Sequence, residues 1–443
     1  MIRRFVFALS LSTVLCAPLY ARAETIADTV SLAVSTHPQI KESAASLAAA
    51  DHNIHEQRSG YFPVLSLNSE SGRNHNDDMT TRADTASGGP SSSWKQQETV
   101  TITQPLFTGF LVENHVESAE DRYTAATYEL NGTAEDVALR AARAHLNLMR
   151  TRELLDLATE YLSNIEGRRK NIELMVKEGA ADAAELMQAN EMEAAAKNTR
   201  LGYEESYKQA EADYIEVAGM PPVKDLEFGE PGWNHLIPDT LEQAVSYASR
   251  KNARVLAADS MASAAESEKD AEKSGLMPHI DAEMSYTKDN QKYDLGDYTS
   301  DASAVIKLGW SFSMGGGQME RVDKLGEEQK AALAKRQEVV RTVEHDTRQK
   351  YTSMQIVDQQ YSLLTEREDA SERILKNFLA QFEGGKQTNL QLISAHSKVF
   401  EAKAARIDAH YRQLLSRFEL LNVMGRLREA FGDVKPTETK QKG

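Results

Sequence analysis

Few residues in this chain have the type and spacing that reaction chemistry needs. His52 and His55 fall at i, i+3, near enough on a helix to share a metal ion, but no further histidine or cysteine stands close to them in the sequence. The other histidines are scattered. Gly315-Gly316-Gly317 is not followed by Lys-Ser or Lys-Thr, so it reads as a strand-to-helix joint and not as a phosphate loop. Ser, His and Asp occur in no hydrolase context. The expectation is a non-enzyme with no catalytic, cofactor-binding or metal residues and no cofactor. The polar residues that do carry a positional signal follow two glycines. Asp182 and Glu185 come after Gly179, and Thr388 and Gln391 come after Gly385 at matching positions. Asp182 and Thr388 each stand three residues past the glycine, where a side-chain oxygen caps the free N–H groups of a starting helix.

The elements that position these turns are written twice. Gly109, Gly179 and Gly219 recur as Gly315, Gly385 and Gly425, all at an offset of 206 residues. Thr25, Gly60 and Pro63 recur as Thr240, Gly275 and Pro278 at an offset of 215, so nine extra residues lie between Pro63 and Gly109. A unit this long is a duplicated scaffold, not a solenoid repeat. The expected organisation is a first repeat over 24–219, a Pro-rich linker over 220–239, a second repeat over 240–425 and a polar tail over 426–443. In the linker Pro221, Pro222, Pro231 and Pro238 crowd around Trp233, which ends helices.

Residues 1–23 read as a signal peptide. Arg3 and Arg4 precede the apolar stretch Phe5–Leu15, and Ala21-Arg22-Ala23 has the small-x-small form cleaved on export, which starts the mature chain at Glu24. The single cysteine, Cys16, is inside this segment, so the mature chain has no disulfide or thiolate chemistry. Losing Arg3, Arg4 and Arg22 moves the net charge from −16 to −19, which speaks against a nucleic-acid partner. No later segment has about 18 consecutive apolar residues. The chain is either soluble after export or enters a membrane as strands.

Each repeat runs helix, strand pair, very long helix, tight turn, long helix. Helices are expected over 111–178 and 182–218, then 318–382 and 388–424. The first of these would be ~100 Å long at 1.5 Å per residue. Ala144, Ala158, Ile165 and Ile172 form one heptad track, and Leu148, Leu155, Leu162 and Val176 another, as in a coiled coil. His37-Pro38 interrupts the opening helix; its counterpart Asn252-Ala253 lacks the proline kink.

Hairpins are expected over about 61–107 and 277–313, with strands at Tyr61–Ser69, Gln97–Phe107, Pro278–Tyr286 and Asp301–Ser313. Their loops would be Glu70–Ser93 and Thr287–Ser300, the first holding the nine extra residues. Ile306, Leu308, Trp310 and Phe312 alternate with Val305, Lys307, Gly309 and Ser311; Ile280, Ala282, Met284 and Tyr286 alternate with polar residues in the same way. This pattern suits lipid outside and water inside, with a half-buried strand of a soluble sheet as the alternative. Four strands cannot close a barrel, and an open edge in lipid leaves backbone groups unpaired at several kcal/mol each. In a membrane the chain must therefore be an oligomer, and three copies supply 12 strands, an even number within the barrel range.

The ordered set of motifs resembles the TolC-like outer-membrane factors of Gram-negative bacteria over essentially the whole mature chain. It is carried by Gly-Tyr-Phe-Pro (60–63) and Gly-Leu-Met-Pro (275–278), by Gln-Pro-Leu-Phe-Thr-Gly (104–109) and Trp-Ser-Phe-Ser-Met-Gly-Gly-Gly (310–317), and by the helix turns at 178–189 and 383–395. The resemblance implies a mainly α chain with a small β part, a homotrimer forming a 12-stranded barrel in outer-membrane lipid, and a long α-helical coiled-coil barrel across the periplasm. It places Gly179, Asp182, Glu185, Gly385, Thr388 and Gln391 at periplasmic tips where an adaptor docks, and Ile306, Leu308, Trp310 and Phe312 on the lipid face. Where the family often carries an acidic entrance, the second tip here has Thr388 and Gln391, so a full acidic ring is not expected. The implied partners are a periplasmic adaptor and an inner-membrane ATP-binding-cassette transporter or proton-coupled pump. The absent lipoprotein cysteine, the first tip and Val-Ala-Gly-Met-Pro-Pro (217–222) favour the branch that secretes proteins such as adhesins or toxins. The alternatives are multidrug efflux and, from a different class, a soluble periplasmic coiled-coil scaffold.

Overall fold

The structure, a computed structural model, describes residues 24–77, 79–83, 91–223, 226–229, 232–233, 235–291 and 297–432. The expected signal peptide and residues 433–443 lie outside the described residues. Strand β1 (Glu24–Thr25) leads into α1 (Ile26–Thr36), α2 (Pro38–Arg58), β2 (Val64–Asn76), α3 (Met79–Ala83), β3 (Ser91–Phe107), α4 (Leu111–Lys177) and α5 (Ala183–Ala218). A short strand β4 (Leu226–Glu227) pairs in parallel with β1. The second repeat follows as α6 (Leu241–Lys251), α7 (Ala253–Glu272), β5 (His279–Gln291), β6 (Asp297–Gly309), α8 (Gly317–Glu383) and α9 (Asn389–Met424), and a last turn, α10 (Leu427–Ala430), ends the chain's described part.

The long helices of the two repeats match in length. Helices α4 and α8 are each 67 residues long, and α5 and α9 are each 36. The offset changes from 215 to 206 between Asn76 and Ser91, against Gln291 and Asp297, so the nine extra residues do lie in the first hairpin connection. The recurring threonines are caps. Thr25 Oγ1 accepts the Asp28 N–H at 3.3 Å while the Asp28 carboxylate accepts the Thr25 N–H at 3.0 Å. Thr240 Oγ1 accepts from the Gln243 N–H at 3.3 Å.

The helix break after α1 is also duplicated, although the proline is not. His37 and Asn252 have nearly the same backbone, φ −61, ψ 133 and φ −62, ψ 131. His37 Nδ1 accepts from the Gln39 N–H at 3.2 Å, and Asn252 Oδ1 from the Arg254 N–H at 2.8 Å. A side-chain cap, not the proline, sets the bend. Asn252 Nδ2 then donates to the Val423 carbonyl at 2.6 Å, tying the bend to α9.

Helix α4 packs on α5 along one side and on α9 along the other, and α9 packs on α8, which gives a row in the order α5–α4–α9–α8. The heptad tracks face this packing. Ala144, Leu148, Ala158, Ile165 and Ile172 are buried, whereas among their second-repeat counterparts Met354 is buried but Leu364 and Phe378 are only half-buried. Where the sequence suggested a polar tail from 426, the structure instead buries Leu427, Ala430 and Phe431. The Phe431 ring lies 5.2 Å from Phe418, which lies 4.8 Å from Trp233 of the linker. These three aromatic side chains anchor the linker and the chain end to one core.

Candidate functional site

The four long strands form one antiparallel sheet in the order β2-β3-β5-β6, so β2 and β6 are its edges. Register separates a mainly apolar face from a mainly polar one, which also carries Val64 and Val305. One face carries the rows Leu67–Val100–Tyr286–Ala302, Leu65–Ile102–Met284–Ala304, Gln104–Ala282–Ile306 and Phe107–Ile280–Leu308. The other carries Asn68–Thr99–Thr287–Asp301 and Ser66–Thr101–Ser285–Ser303, then Glu283 and Lys307. Polar groups pair across that second face: Ser285 and Ser303 hydroxyls at 2.8 Å, Lys307 Nζ and Glu283 at 2.6 Å. On the first face nothing among the described residues covers the apolar groups, with Ile306 74%, Leu67 73% and Leu308 67% exposed. A water-facing sheet would not leave its apolar side bare.

Two boundaries differ from the sequence reading. The ladder runs on through Glu70↔Gln97 to Asn76↔Ser91 and through Thr287↔Asp301 to Gln291↔Asp297, so the expected loops 70–93 and 287–300 are largely strand. Conversely, β6 ends at Gly309, opposite His279, because Pro278 has no N–H to extend the ladder. Ile306 and Leu308 lie in the strand, while Trp310 and Phe312 lie beyond it. Their rings pack at 4.8 Å and Trp310 Nε1 donates to the Leu276 carbonyl at 3.2 Å. With exposed Tyr61, Phe62 and Phe110 they make an aromatic collar at the helical end of the sheet, the position at which such rings mark a membrane interface.

At the far end of the helices the two glycine turns are copies. The Gly179 and Ala180 N–H groups donate to the Val176 and Met175 carbonyls at 3.1 and 2.8 Å; those of Gly385 and Lys386 donate to Phe382 and Gln381, both at 2.9 Å. Both glycines are left-handed, φ 77 and 72, as a helix-ending turn of this kind requires. The caps that follow are not alike. Asp182 accepts the Ala184 N–H at 3.4 Å, alone. Thr388 accepts from the Gln391 N–H at 3.3 Å while the Gln391 side chain accepts from the Thr388 N–H at 2.8 Å, a closed capping box. The Gln391 side chain is thus engaged by the Thr388 backbone. The turns sit side by side: Asn389 Nδ2 lies 3.3 Å from Met175 Sδ, and the Arg168 guanidinium lies 5.7 Å from the Phe382 ring centre.

A buried polar cluster near the linker escaped the sequence reading, since its members are far apart in the chain. His145 Nδ1 lies 2.8 Å from Thr29 Oγ1 and its Nε2 lies 3.2 Å from the Glu227 carbonyl. The carbonyl can only accept, so Nε2 carries the proton and Thr29 donates to Nδ1. Tyr214 donates to the Glu24 carboxylate at 2.6 Å, which pins the expected mature N-terminus to α5. Burial lowers the His145 pKa from 6.5 to about 4. An unfolded chain therefore binds more protons than the folded one between those values, and stability falls as pH drops from 6.5 toward 4, by about 3 kcal/mol at ~1.4 kcal/mol per unit. The melting temperature of His145→Gln should fall less steeply over that range than that of the unsubstituted protein; equal slopes would assign the acid sensitivity elsewhere.

Among the described residues, no helix is long and apolar enough to cross a membrane and no group of three His, Cys, Asp or Glu is placed to hold a metal. The chain is 24% identical over 420 residues to the outer membrane efflux protein BepC of Brucella suis, covering 92% of this chain and 86% of that protein. In fold it is similar to the outer membrane protein VceC of Vibrio cholerae (TM-score 0.76, 14% identity, 90% of this chain and 96% of that one). It is similar also to the CmeC outer membrane channel of Campylobacter jejuni (TM-score 0.75, 11% identity, 93% and 90%). The sequence pattern of one family, described as outer membrane efflux protein, matches twice, over residues 29–219 and 244–426, once for each repeat. With both repeats matched, the chain belongs to the outer membrane efflux protein family.

Proposed function

We propose that three copies of this chain close into one passive exit duct, a 12-stranded barrel in the outer membrane continued by a helical tunnel through the periplasm. The observation that carries the reading is the open sheet. An apolar face suited to lipid cannot end in two unpaired edges within lipid, and joining β6 of one copy to β2 of the next removes both. The polar face then lines a water-filled lumen. The glycine turns at Gly179 and Gly385 form the tips at which a periplasmic adaptor docks, and an inner-membrane transporter supplies the energy. A cleaved signal peptide ending at Ala23 delivers the chain. A soluble scaffold would leave the apolar sheet face without a purpose.

For cargo, the reading is type I secretion of a protein such as an adhesin or toxin, supported by the absence of a lipid-anchoring cysteine from the mature chain and by the first-tip sequence. Small-molecule efflux is the second reading, favoured by the name of the Brucella relative. Deleting the gene and comparing proteins in the medium and on the cell surface separates them. Loss of one large secreted protein with drug tolerance unchanged is the expected result. An unchanged set of exported proteins together with drug sensitivity would give the cargo to efflux.

A further inference from the structure

The geometry points to a binding site for an organic carboxylate, one in each copy, in the tunnel wall at the middle of α4. The inference rests on the duct reading for which side of the helices faces the lumen; the site itself lies within one chain. It is a cavity of about 650 Å³ between α4, α5 and α9, a size that holds a small molecule.

Its place in the row follows from α4. His145 points to α1, where it meets Thr29. Asn147 lies two residues on, about 200° further round the helix, so the cavity opens on the side away from α1. Ile165 repeats the direction of Asn147 about five turns later. There it packs in one cluster with Ala196 of α5 and Ile393 of α9. Helices α5 and α9 thus meet over this face of α4 lower down, and the cavity is where they part. That side is the hollow of a curved row, and in a closed ring of copies the hollow side faces the lumen.

Four arginines line the cavity, Arg140, Arg143, Arg150 and Arg412, against the carboxylates of Asp213, Glu216 and Asp408. This is a cationic excess in a chain of net charge −16. Three of the arginines are held. Arg140 meets Glu216 at 2.9 Å, Arg150 meets Asp408 at 2.6 Å, and Arg143 meets Glu419, which Lys350 shares, at 2.9 Å. Arg412 has no ion pair among the described residues, since Asp408, one turn before it on α9, is taken by Arg150. The antiparallel pairing of Arg143 with Glu419 and of Arg150 with Asp408 puts Arg412 level with Asn147. The Asn147 oxygen is engaged as well: Arg150 donates to it from Nε at 3.3 Å and from Nη2 at 2.8 Å, which leaves the Nδ2 donor over. A guanidinium and an amide nitrogen, both donors without an acceptor among the described residues, therefore line one cavity. Donors alone call for an anion, and the guanidinium fork matches a carboxylate. Ala144, Val217 and Leu415 complete the wall, so the anion that fills the space carries an apolar body. Asp213, on the α5 side, opposes it by charge.

The test uses the protein purified from outer membranes into lipid nanodiscs, with 1-naphthoate as the probe and neutral 1-naphthamide as its control, in equilibrium dialysis. Saturable binding of one naphthoate per chain is expected. The amide should bind at least about tenfold more weakly, the loss that follows when a charge-assisted hydrogen bond goes. Arg412→Gln should weaken naphthoate by about the same factor and leave the amide as it was, while Asp213→Asn should tighten naphthoate. Lys170→Gln, an equal charge change at an exposed residue lower on α4, should alter neither. Equal binding of acid and amide, or naphthoate binding unmoved by Arg412→Gln, overturns the site. If Arg412→Gln does not assemble, Asn147→Asp puts a carboxylate where the amide donor stands and should abolish naphthoate binding; retained binding overturns the site equally. Absence of a heat-sensitive trimer in the unsubstituted protein would end the duct reading, whereas naphthoate bound by that protein with the same dependence on Arg412 would keep the site.

Discussion

Replacing Ile306 by arginine should strip the assembled protein from the outer membrane. Ile306 lies in one of the two central rows of the apolar face, between the Ile280–Leu308 row at one end and the Tyr286–Ala302 row at the other. An arginine near the middle of the hydrocarbon costs roughly 2–4 kcal/mol, falling toward zero at the interfaces. A three-copy barrel would meet that cost three times, enough to offset much of a marginal assembly energy. The expected result is loss of the heat-sensitive trimer band, with the monomer retained in the periplasm or degraded. Leu308→Arg, in the row nearest the aromatic collar, should be milder. Ser303→Arg, on the opposite face beside Ser285, should assemble nearly as the unsubstituted chain does. Equal outcomes for Ile306→Arg and Ser303→Arg would mean that the two faces have been assigned the wrong way round.

How far the sequence carried this architecture depended on whether the signal was local. The duplication was legible because the turn and cap residues recur at fixed offsets, and the structure keeps those offsets through helices of 67 and 36 residues. The apolar face was legible where alternation is strong, as in Ile280–Tyr286. It was lost beyond Leu67, where Asn68 to Asn76 is polar on both sides; there the ladder to β3 holds the strand, with no apolar period to announce it. Trp310 and Phe312 continue the alternation but not the strand, since their partner chain begins only after Pro278. The bend at Asn252 was misread because proline was taken as its cause, while an amide side chain makes the same cap. The caps at Asp182 and Thr388 were readable from three residues of spacing. Their difference in use, a lone cap against a closed box, follows from Gln391 reaching back to the Thr388 backbone.

Removing the carboxylate of Glu135 should cost about 3–5 kcal/mol, the usual penalty for breaking a buried ion pair. Glu135, on α4 of the first repeat, accepts the Leu427 N–H at 2.9 Å, the Arg428 N–H at 3.3 Å and Arg428 Nε at 3.0 Å, at the start of the last helical turn of the second repeat. The two side chains are 8% and 12% exposed, so water screens the pair weakly. In Glu135→Ala the guanidinium keeps its bond to Asn131 but loses this carboxylate, and the Leu427 and Arg428 N–H groups lose their acceptor. Chemical denaturation of the purified protein should show the loss. Glu135→Ala with Arg428→Met should be less destabilised than the two single effects added together, because both substitutions remove the same contact. A loss below about 1 kcal/mol for Glu135→Ala would make the pair a surface-type bridge and not a clamp. The clamp has no counterpart in the other repeat. Shifted by 206, Glu135 becomes Arg341, and Leu427 and Arg428 become Pro221 and Pro222, of which neither has an N–H to give. Two equivalent repeats would leave the chain end and the linker interchangeable. A carboxylate that only one of them can satisfy gives the duplicated scaffold a single way to close.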